Sequence, residues 1–249
     1  MKKLVNKINR KMIAKINDLV KRAKELGMDA LALTDHGNMF GAKELYDYCK
    51  NINKERKKNG QEPFKPIFGC EMYCARRGKG QKTDKIDQSG WHLILLAKNM
   101  QGYRNLCKIV SESFMDESYY RRPRIDKELL EQYHEGLICC SACLGGELPQ
   151  KIMMGMTMQD AALQDAMRWR EAEETIEWFK NLFGEDYYIE IQRHQPTQAN
   201  ADQHVYQVQK DVNPILIALA KKHGVKVIAT NDVHFVEEEH AEAHDHLVC

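Results

Sequence analysis

Two apolar stretches of the chain each run into an aspartate and a histidine. A run that begins at Ala30 precedes Asp35 and His36, and a similar run precedes Asp232 and His234. Short apolar runs of this kind predict buried parallel strands, and in α/β barrels chemistry is placed at the carboxyl ends of such strands. The pattern therefore predicts one metal site built from distant segments of the chain.

The candidate ligands combine oxygen, nitrogen and sulfur donors from five segments. They are Asp35, His36, Glu71, His92, Cys143, Asp232 and His234. This mixed donor set suits zinc, manganese or iron, and a carboxylate such as that of Glu71 can bridge two ions. Paired ions about 3.5–4 Å apart are the usual arrangement for phosphoester hydrolysis. Asp35 could instead cap a helix, but five segments together favour a metal site.

Two further patterns are weaker. Cys140 and Cys143 have the spacing of half a zinc knuckle, but no second cysteine pair follows at zinc spacing. His240 and His244 lie four residues apart on a predicted helix, but His240 is not followed by the glutamate that a His-Glu-x-x-His motif requires. A solvated helix face is the simpler interpretation of the histidine pair.

Composition restricts the class of protein. The 249 residues carry a net charge of +1, so any contact with nucleic acid would need a local basic patch, such as residues 1–28 or 119–124. No apolar run reaches the roughly 20 residues of a membrane helix, and the basic amino terminus lacks the apolar core of a secretory signal. We expect a cytoplasmic protein whose eight cysteines are free thiols.

Alternation of strands and helices must position the ligands. Strands are predicted at residues 30–33, 66–71, 92–97, 137–143, 187–191 and 227–230, and helices at 13–26, 41–50, 102–113, 125–133, 158–183 and 214–222, with surface loops at 51–62 and 76–89. This order predicts a parallel barrel or an open α/β sheet in one domain. Glu71 ends its predicted strand, whereas His92 begins one and fits this scheme least.

Seven motifs in order resemble the PHP (polymerase and histidinol phosphatase) domain at the amino-terminal end of bacterial DNA polymerase III alpha subunits. They cover residues 33–38, 65–71, 92–99, 102–106, 123–126, 141–147 and 230–234. The resemblance extends from about Ala14 to the carboxyl terminus. It implies an α/β fold of the distorted (β/α)7 barrel type, with metal ligands at one mouth.

The resemblance also implies roles for the candidate residues. The ligands of a cluster of up to three ions, zinc or manganese, would be His36, Glu71, His92, Cys143, Asp232 and His234. A catalytic group would comprise Asp35, His36, Glu71, Asp232 and His234. Within this group, Asp35 would orient its neighbours.

The chain departs from the family at its start. The family opens with a strand that carries a His-x-His motif, whereas residues 1–12 contain no histidine and no aspartate. We therefore expect residues 1–13 to be an atypical basic segment in place of the first barrel strand, and residues 14–249 to be the PHP domain. About three ligands would be missing, and the chain would be part of a larger protein or a truncated gene model without the polymerase catalytic region.

Two functions follow from the resemblance. In the first, the domain braces a replicative polymerase and contacts its proofreading exonuclease; its partners are the rest of the polymerase III alpha chain, the exonuclease and DNA, with no membrane. The alternative is a metal-dependent 3′–5′ exonuclease or phosphoesterase at the barrel mouth. A small-molecule phosphatase is a more distant option, which the motifs at 123–126 and 143–146 disfavour. Because half-built metal sites bind weakly, we place bracing ahead of catalysis.

Overall fold

The computed structural model describes residues 15–157, 161–197, 202–237 and 240–241. The described residues form two compact units, the first from those within 15–33, 40–67 and 232–241 and the second from those within 34–39 and 68–231. The predicted segment 1–13 and the second histidine of the 240/244 pair lie outside the described residues. Among the described helices, none has both the length and the apolar character needed to cross a membrane.

Among its described residues, the first unit contains two helices and a strand that precede residue 65. They are α1 (Ile16–Glu25), β1 (Ala30–Leu33) and α2 (Ala42–Lys58), and the next strand, β2 (Lys65–Ala75), begins in this unit at residues 65–67. The loop predicted at 51–62 is wrong, because α2 continues to Lys58 through good helix formers without glycine or proline. Asn53 fixes the turn that follows, since its side chain exchanges two hydrogen bonds with the backbone of Phe64, at 2.9 and 2.7 Å.

The second unit carries most of the sheet. After residues 68–75 of β2, its elements are β3 (Gly90–Ala97), α3 (Met100–Ser113), β4 (Arg124–Ile125), α4 (Lys127–Tyr133), β5 (Leu137–Cys140), α5 (Glu147–Met156), α6 (Ala161–Phe183), β6 (Tyr187–Gln192), α7 (His204–His223) and β7 (Lys226–Thr230). The sequence predicted α7 only from residue 214, because a proline favours the start of a helix. Pro214 instead lies inside α7.

The sheet is mixed, so the prediction of a parallel sheet is wrong at β3. In the second unit the strand order is β2-β3-β5-β6-β7, with β4 also paired to β2. β3 runs antiparallel to both β2 and β5, whereas β5, β6 and β7 are parallel. Between β2 and β3 only a short 3-10 turn (Lys85–Gln88) is regular, and without a helical crossover the chain returns antiparallel. The α/β class predicted from the sequence is confirmed.

Side chains along β2 and β3 point alternately towards the hydrophobic core and towards the candidate site. Cys70, Met72 and Cys74 of β2 and Leu93 and Leu95 of β3 are almost fully buried in the main hydrophobic cluster, which also takes apolar residues of α3, α4, α5, α6 and α7. Successive side chains of a strand point to opposite faces. The residues between them, including the predicted ligands of β2 and β3, therefore lie on the other face of the sheet.

All seven cysteines among the described residues are free thiols. Burial raises the pKa of the thiols of Cys70, Cys74 and Cys140 to about 12. These three thiols therefore stay protonated at neutral pH and act as small apolar side chains rather than nucleophiles.

Candidate metal centre

Three of the predicted ligands meet in the second unit. His36, Glu71 and His92 each offer one donor atom, and these atoms lie within 4.8 Å of one another. One carboxylate oxygen of Glu71, Oε1, is 2.5 Å from Nδ1 of His92, and the other, Oε2, is 3.7 Å from Nδ1 of His36. The Glu71 side chain is only 5% exposed, whereas that of His36 is 42% exposed. The carboxylate thus lies at the base of a centre that solvent reaches through His36.

The antiparallel pairing of β2 and β3 brings Glu71 and His92 together. His92 is opposite Tyr73 in the register, and Glu71 is opposite Ile94, so Glu71 and His92 are diagonal neighbours on one face. This also corrects the prediction that Glu71 ends its strand, because β2 continues to Ala75. Because β3 runs in the opposite direction to β2, a residue near the start of β3 can reach the same place as one near the end of β2.

His36 is held by backbone contacts with β2. The amide of Glu71 donates to the carbonyl oxygen of Asp35 at 3.0 Å, and the amide of Gly37 donates to the carbonyl oxygen of Glu71 at 2.8 Å. The side-chain amide of Asn38 also donates to the carbonyl oxygen of His36 at 3.0 Å. Asp35 therefore contributes its main chain to the position of His36, and it is not a member of the three-residue group.

Gly37 is required by this arrangement for two reasons. Its φ of +65° lies in the left-handed region, which residues with a side chain adopt at a cost. A Cβ atom at this position would also lie 2.5 Å from Cγ of Pro123. The segment that carries His36 therefore packs closely against the segment that carries Pro123.

Cys143 lies beside His92. Its Sγ atom is 3.4 Å from Nδ1 of His92 and accepts a hydrogen bond from the amide of Gly145, also at 3.4 Å. The predicted strand 137–143 is shorter than expected, because β5 ends at Cys140 and the chain turns at Ala142, whose φ is +62°. Cys143 thus sits on a tight loop beyond the strand, and the amide of His92 donates to the carbonyl oxygen of Gly145 at 2.9 Å.

The Glu71 carboxylate and the His92 imidazole form a charged pair at the centre. Burial opposes the charged form of His92, but hydrogen bonds and charges from Cys143 and Glu71 outweigh it and raise its pKa to about 10. Oε1 of Glu71 is buried, and the cation that faces it among the described residues is the protonated ring of His92, whose Nδ1 lies 2.5 Å away. A buried carboxylate oxygen is costly unless a cation compensates it. The imidazole, carboxylate and thiol donors match those that zinc takes in proteins.

Asp232 and His234 lie in the first unit. Asp232 has a φ of +46°, and its carbonyl oxygen is 2.8 Å from Nδ1 of His234. Because these two residues belong to a different unit from the other ligands, their joining with the centre stays a prediction. The same holds for the wider catalytic group of Asp35, His36, Glu71, Asp232 and His234.

The sequence did not predict that two further residues, Tyr73 and Arg122, lie at this centre. The ring of Tyr73 stacks on that of His36 with 6.0 Å between centroids, and lies edge-to-face with that of His92 at 5.3 Å. Nη1 of Arg122 donates to the hydroxyl of Tyr73 at 2.7 Å, and the guanidinium lies 4.8 Å from the ring centroid. Tyr73 could have been found two residues after Glu71, on the same face of a longer strand. No sequence signal places Arg122 there.

The sequence predicted that the basic run at residues 119–124 forms a surface patch. The structure corrects this prediction, because the run is only partly exposed. Arg124 is completely buried. Its guanidinium donates to the carbonyl oxygens of Lys79, Gln81, Asp87 and Ser118, at 2.6–3.1 Å. Arg124 therefore ties the loop after β2 to the segment before β4.

The comparisons with known proteins identify the family of the chain. A family model described as the PHP domain matches residues 11–194. The DNA polymerase III subunit alpha of Borreliella burgdorferi is 44% identical over 95% of this chain and 18% of that protein. The corresponding subunits of Treponema pallidum and Deinococcus radiodurans are 42% and 38% identical, over 93% and 95% of this chain and 17% and 16% of their own lengths. The chain thus spans less than a fifth of the length of these relatives.

One solved structure is also similar, a candidate metal-dependent phosphoesterase from Bifidobacterium adolescentis. It has a TM-score of 0.42 and 14% identity, over 90% of this chain and 84% of that chain, which is too low to carry a conclusion. The family model, in contrast, covers most of the chain and includes His36, Glu71, His92 and Cys143. As the sequence motifs predicted, this chain belongs to the PHP domain family.

Proposed function

We propose that this chain works within a replicative DNA polymerase, as the PHP domain of an alpha subunit, where it braces the polymerase. The observation that carries the proposal is the 44% identity with a DNA polymerase III subunit alpha over 95% of the chain. DNA, the rest of the alpha chain and a proofreading exonuclease are the partners of this proposal. A cytoplasmic location stays a prediction.

The bracing role is tested by complex formation. The 249-residue chain is mixed with the remaining part of an alpha subunit, and separately with the proofreading exonuclease, and each mixture is analysed by size-exclusion chromatography. We expect co-elution with the alpha chain and with the exonuclease. Failure of both mixtures to form a complex would contradict the bracing proposal.

The second part of the proposal is a divalent cation, zinc or manganese, at the centre. His36, Glu71 and His92 would hold it, with Cys143 beside His92. Such an ion, when bound, would polarise a phosphoryl oxygen or activate a water molecule. Independently of the ion, the backbone contacts of Asp35 and Gly37 hold His36 next to the Glu71 carboxylate.

Removing the central carboxylate tests the metal site. In Glu71→Gln the side chain keeps its size but loses its charge, so we expect metal content, measured by elemental analysis of the purified chain, to fall at least about tenfold. The control is Glu128→Gln, which changes an exposed carboxylate on α4. Equal metal content in both variants and the unchanged chain would remove Glu71 from the ligand set.

A second candidate function is a metal-dependent 3′–5′ exonuclease or phosphoesterase. It is favoured by the 42% exposure of the His36 side chain, which leaves the centre accessible to a substrate. The test is release of nucleotides from a DNA oligonucleotide labelled at its 3′ end, with added manganese or zinc. We expect release that is lost in Glu71→Gln; a metal-loaded chain that releases nothing would eliminate this function.

A further inference from the structure

A small cavity lies in the second unit, between β6, α7, the start of α5 and the loop that carries Cys143. Its volume is about 10 Å³, which is close to the space that one water-sized ligand needs. Its polar lining consists of Cys143, of Glu190 and Gln192 on β6, and of Gln209 and Asn213 on α7. None of the described residues that line the cavity is basic.

The side chains of this lining are buried. Glu190 and Gln192 are two residues apart on β6 and therefore share one face of the strand; they are 5% and 7% exposed. Gln209 and Asn213 are four residues apart on α7 and share one face of that helix; they are 2% and 9% exposed. Polar groups at this depth are costly unless they have partners.

Hydrogen bonds fix the orientation of the Gln192 amide. Its Nε2 atom donates to Oε1 of Glu190 at 3.0 Å and to Oγ1 of Thr230 at 3.3 Å, and its backbone carbonyl oxygen accepts from Nδ2 of Asn213 at 2.8 Å. Reversing the amide would place its oxygen against the carboxylate, and an ionised carboxylate can only accept. The amide oxygen of Gln192 is therefore turned away from Glu190.

This oxygen needs a partner. Oε1 of Gln192 is buried and accepts no hydrogen bond from the described residues. The lining combines one carboxylate with three amides and contains no basic side chain, so it presents oxygen and negative charge to the cavity. A ligand that offers positive charge to oxygen would therefore be stabilised there.

The size of the cavity restricts the class of cation. Mg²⁺ usually keeps several of its water molecules, and Ca²⁺ takes six to eight oxygen ligands, so both need more room than one water-sized space. Monovalent cations exchange their hydration shell for the oxygens of neutral amides, as potassium does in channel filters. The carboxylate of Glu190 supplies the single negative charge that such an ion balances.

We propose that this cavity binds one monovalent cation, sodium or potassium, through the carboxylate of Glu190 and the amide oxygen of Gln192. The site shares no ligand with the His36–Glu71–His92 group and does not depend on the proposed function. The alternative occupant is a water molecule.

The test compares urea unfolding of the chain in sodium chloride, potassium chloride and choline chloride at equal ionic strength. Choline is too large for the cavity, so it screens charge without binding there. A ligand that binds only the folded state raises the folding equilibrium constant by a factor of one plus the ratio of its concentration to its Kd. We expect sodium or potassium to raise this constant over its value in choline, by about tenfold at about ten times the Kd.

Variants locate the ion. Gln192→Met keeps the length of the side chain but removes its oxygen, and Glu190→Gln removes the charge; both should lose the difference between choline and the alkali cations. The matched control is Gln207→Met, which changes an exposed glutamine on α7 and should keep the difference. Glu71→Gln should also keep it, because Glu71 does not line the cavity. Circular dichroism checks that each variant folds.

Equal stability of the unchanged chain in the three salts overturns the cation site and leaves water as the occupant, and this comparison needs no variant to fold. A cation effect that persists in either cavity variant, or that is lost in Gln207→Met or Glu71→Gln, also overturns it, because the ion then acts elsewhere. Loss of the effect in Gln192→Met and Glu190→Gln, with its retention in both controls, supports the site.

Discussion

At the scale of single residues, Glu71 connects the parts of the candidate centre. Its two carboxylate oxygens face His92 and His36, and its backbone amide and carbonyl hold the segment around His36. The side chain of Glu71 thus supplies negative charge, and the main chain of the same residue positions the neighbouring ligand His36. A change of side chain at residue 71 should therefore affect ligand binding more than it affects the backbone.

Cys143 offers a residue-scale prediction that uses chemical modification. Cys143 and Cys107 are the partly exposed thiols among the described residues, whereas the other described cysteines are buried. If Cys143 is a ligand, a bound ion should slow its alkylation by iodoacetamide at least about tenfold, because thiolate coordination blocks the nucleophile. Mass spectrometry of peptides with and without a chelator measures both sites.

Cys107 is the internal control for this measurement. It lies on α3, away from the ligand set, and should react at the same rate in both conditions. Equal alkylation of Cys143 with and without the chelator would place it outside the metal centre.

At the scale of elements, the direction of strand β3 determines which side chains meet at the candidate centre. β3 runs antiparallel to β2, and this places His92 diagonally across from Glu71. A parallel β3 would have put the start of the strand at the far edge of the sheet. The segment after β1 then completes the group, because hydrogen bonds to β2 fix it and Gly37 lets it approach Pro123.

Gly37 gives the element-scale prediction. Gly37→Ala should destabilise the chain by about 1–2 kcal/mol for the left-handed backbone, and by about 1–3 kcal/mol more for the contact with Pro123. Gly60→Ala is the matched control, because Gly60 has nearly the same φ, +67°, and among the described residues other than its chain neighbours no atom lies within 4 Å of the place that its Cβ would take. Urea unfolding measures both free energies.

The difference in unfolding free energy between Gly37→Ala and Gly60→Ala measures the contribution of packing against Pro123. Equal losses of free energy in Gly37→Ala and Gly60→Ala would show that the packing against Pro123 adds nothing. Metal content of Gly37→Ala should also fall, since His36 is the adjacent residue.

At the scale of the whole molecule, charge pairing sets how stability depends on pH. Net charge is only +1, so specific pairs rather than overall repulsion dominate. Asp87 is buried, and hydrogen bonds from Arg77 hold the pKa of its carboxyl at about 2, below its ordinary value of 3.8, despite the opposing effect of burial. This pair closes the loop between β2 and β3, the same loop that Arg124 anchors.

The pKa of Asp87 predicts an acid-sensitive stability. A carboxyl whose pKa is lower in the folded state stabilises the protein above its unfolded-state pKa, and this stability is lost as the pH falls through the folded-state pKa. We therefore expect the free energy of unfolding to drop between about pH 4 and pH 2 because of Asp87, and Asp87→Asn to flatten this drop. Denaturant titrations across that range measure the difference.

Asp116→Asn is the control for this pH dependence. Asp116 is exposed, and its described contact is made by its carbonyl oxygen, which accepts a hydrogen bond from Lys82. The slope of stability against pH should be unchanged in this variant. An unchanged slope in Asp87→Asn would mean that the Arg77–Asp87 pair contributes nothing to acid stability.

The sequence by itself determined the family, the α/β class and the residue types of the centre. These depend on local patterns: a short apolar run before Asp35 and His36, an acid at Glu71, and a Cys-Leu-Gly-Gly turn at Cys143. Each of these patterns can be recognised in the sequence without knowledge of which segments pair in the sheet. The helix at 42–58 and the interior proline of α7 were misread, because local propensity does not fix where a helix ends once its face is packed.

Only the tertiary structure decided how these residues combine. The antiparallel direction of β3 explains His92, which the strand-end rule could not place, and the packing of Pro123 on Gly37 brings Arg122 beside Tyr73. Strand direction and loop packing depend on contacts between residues far apart in the chain, whose free energies no local pattern contains. The same run of basic residues therefore yields a buried structural arginine at 124 and an exposed one at 122.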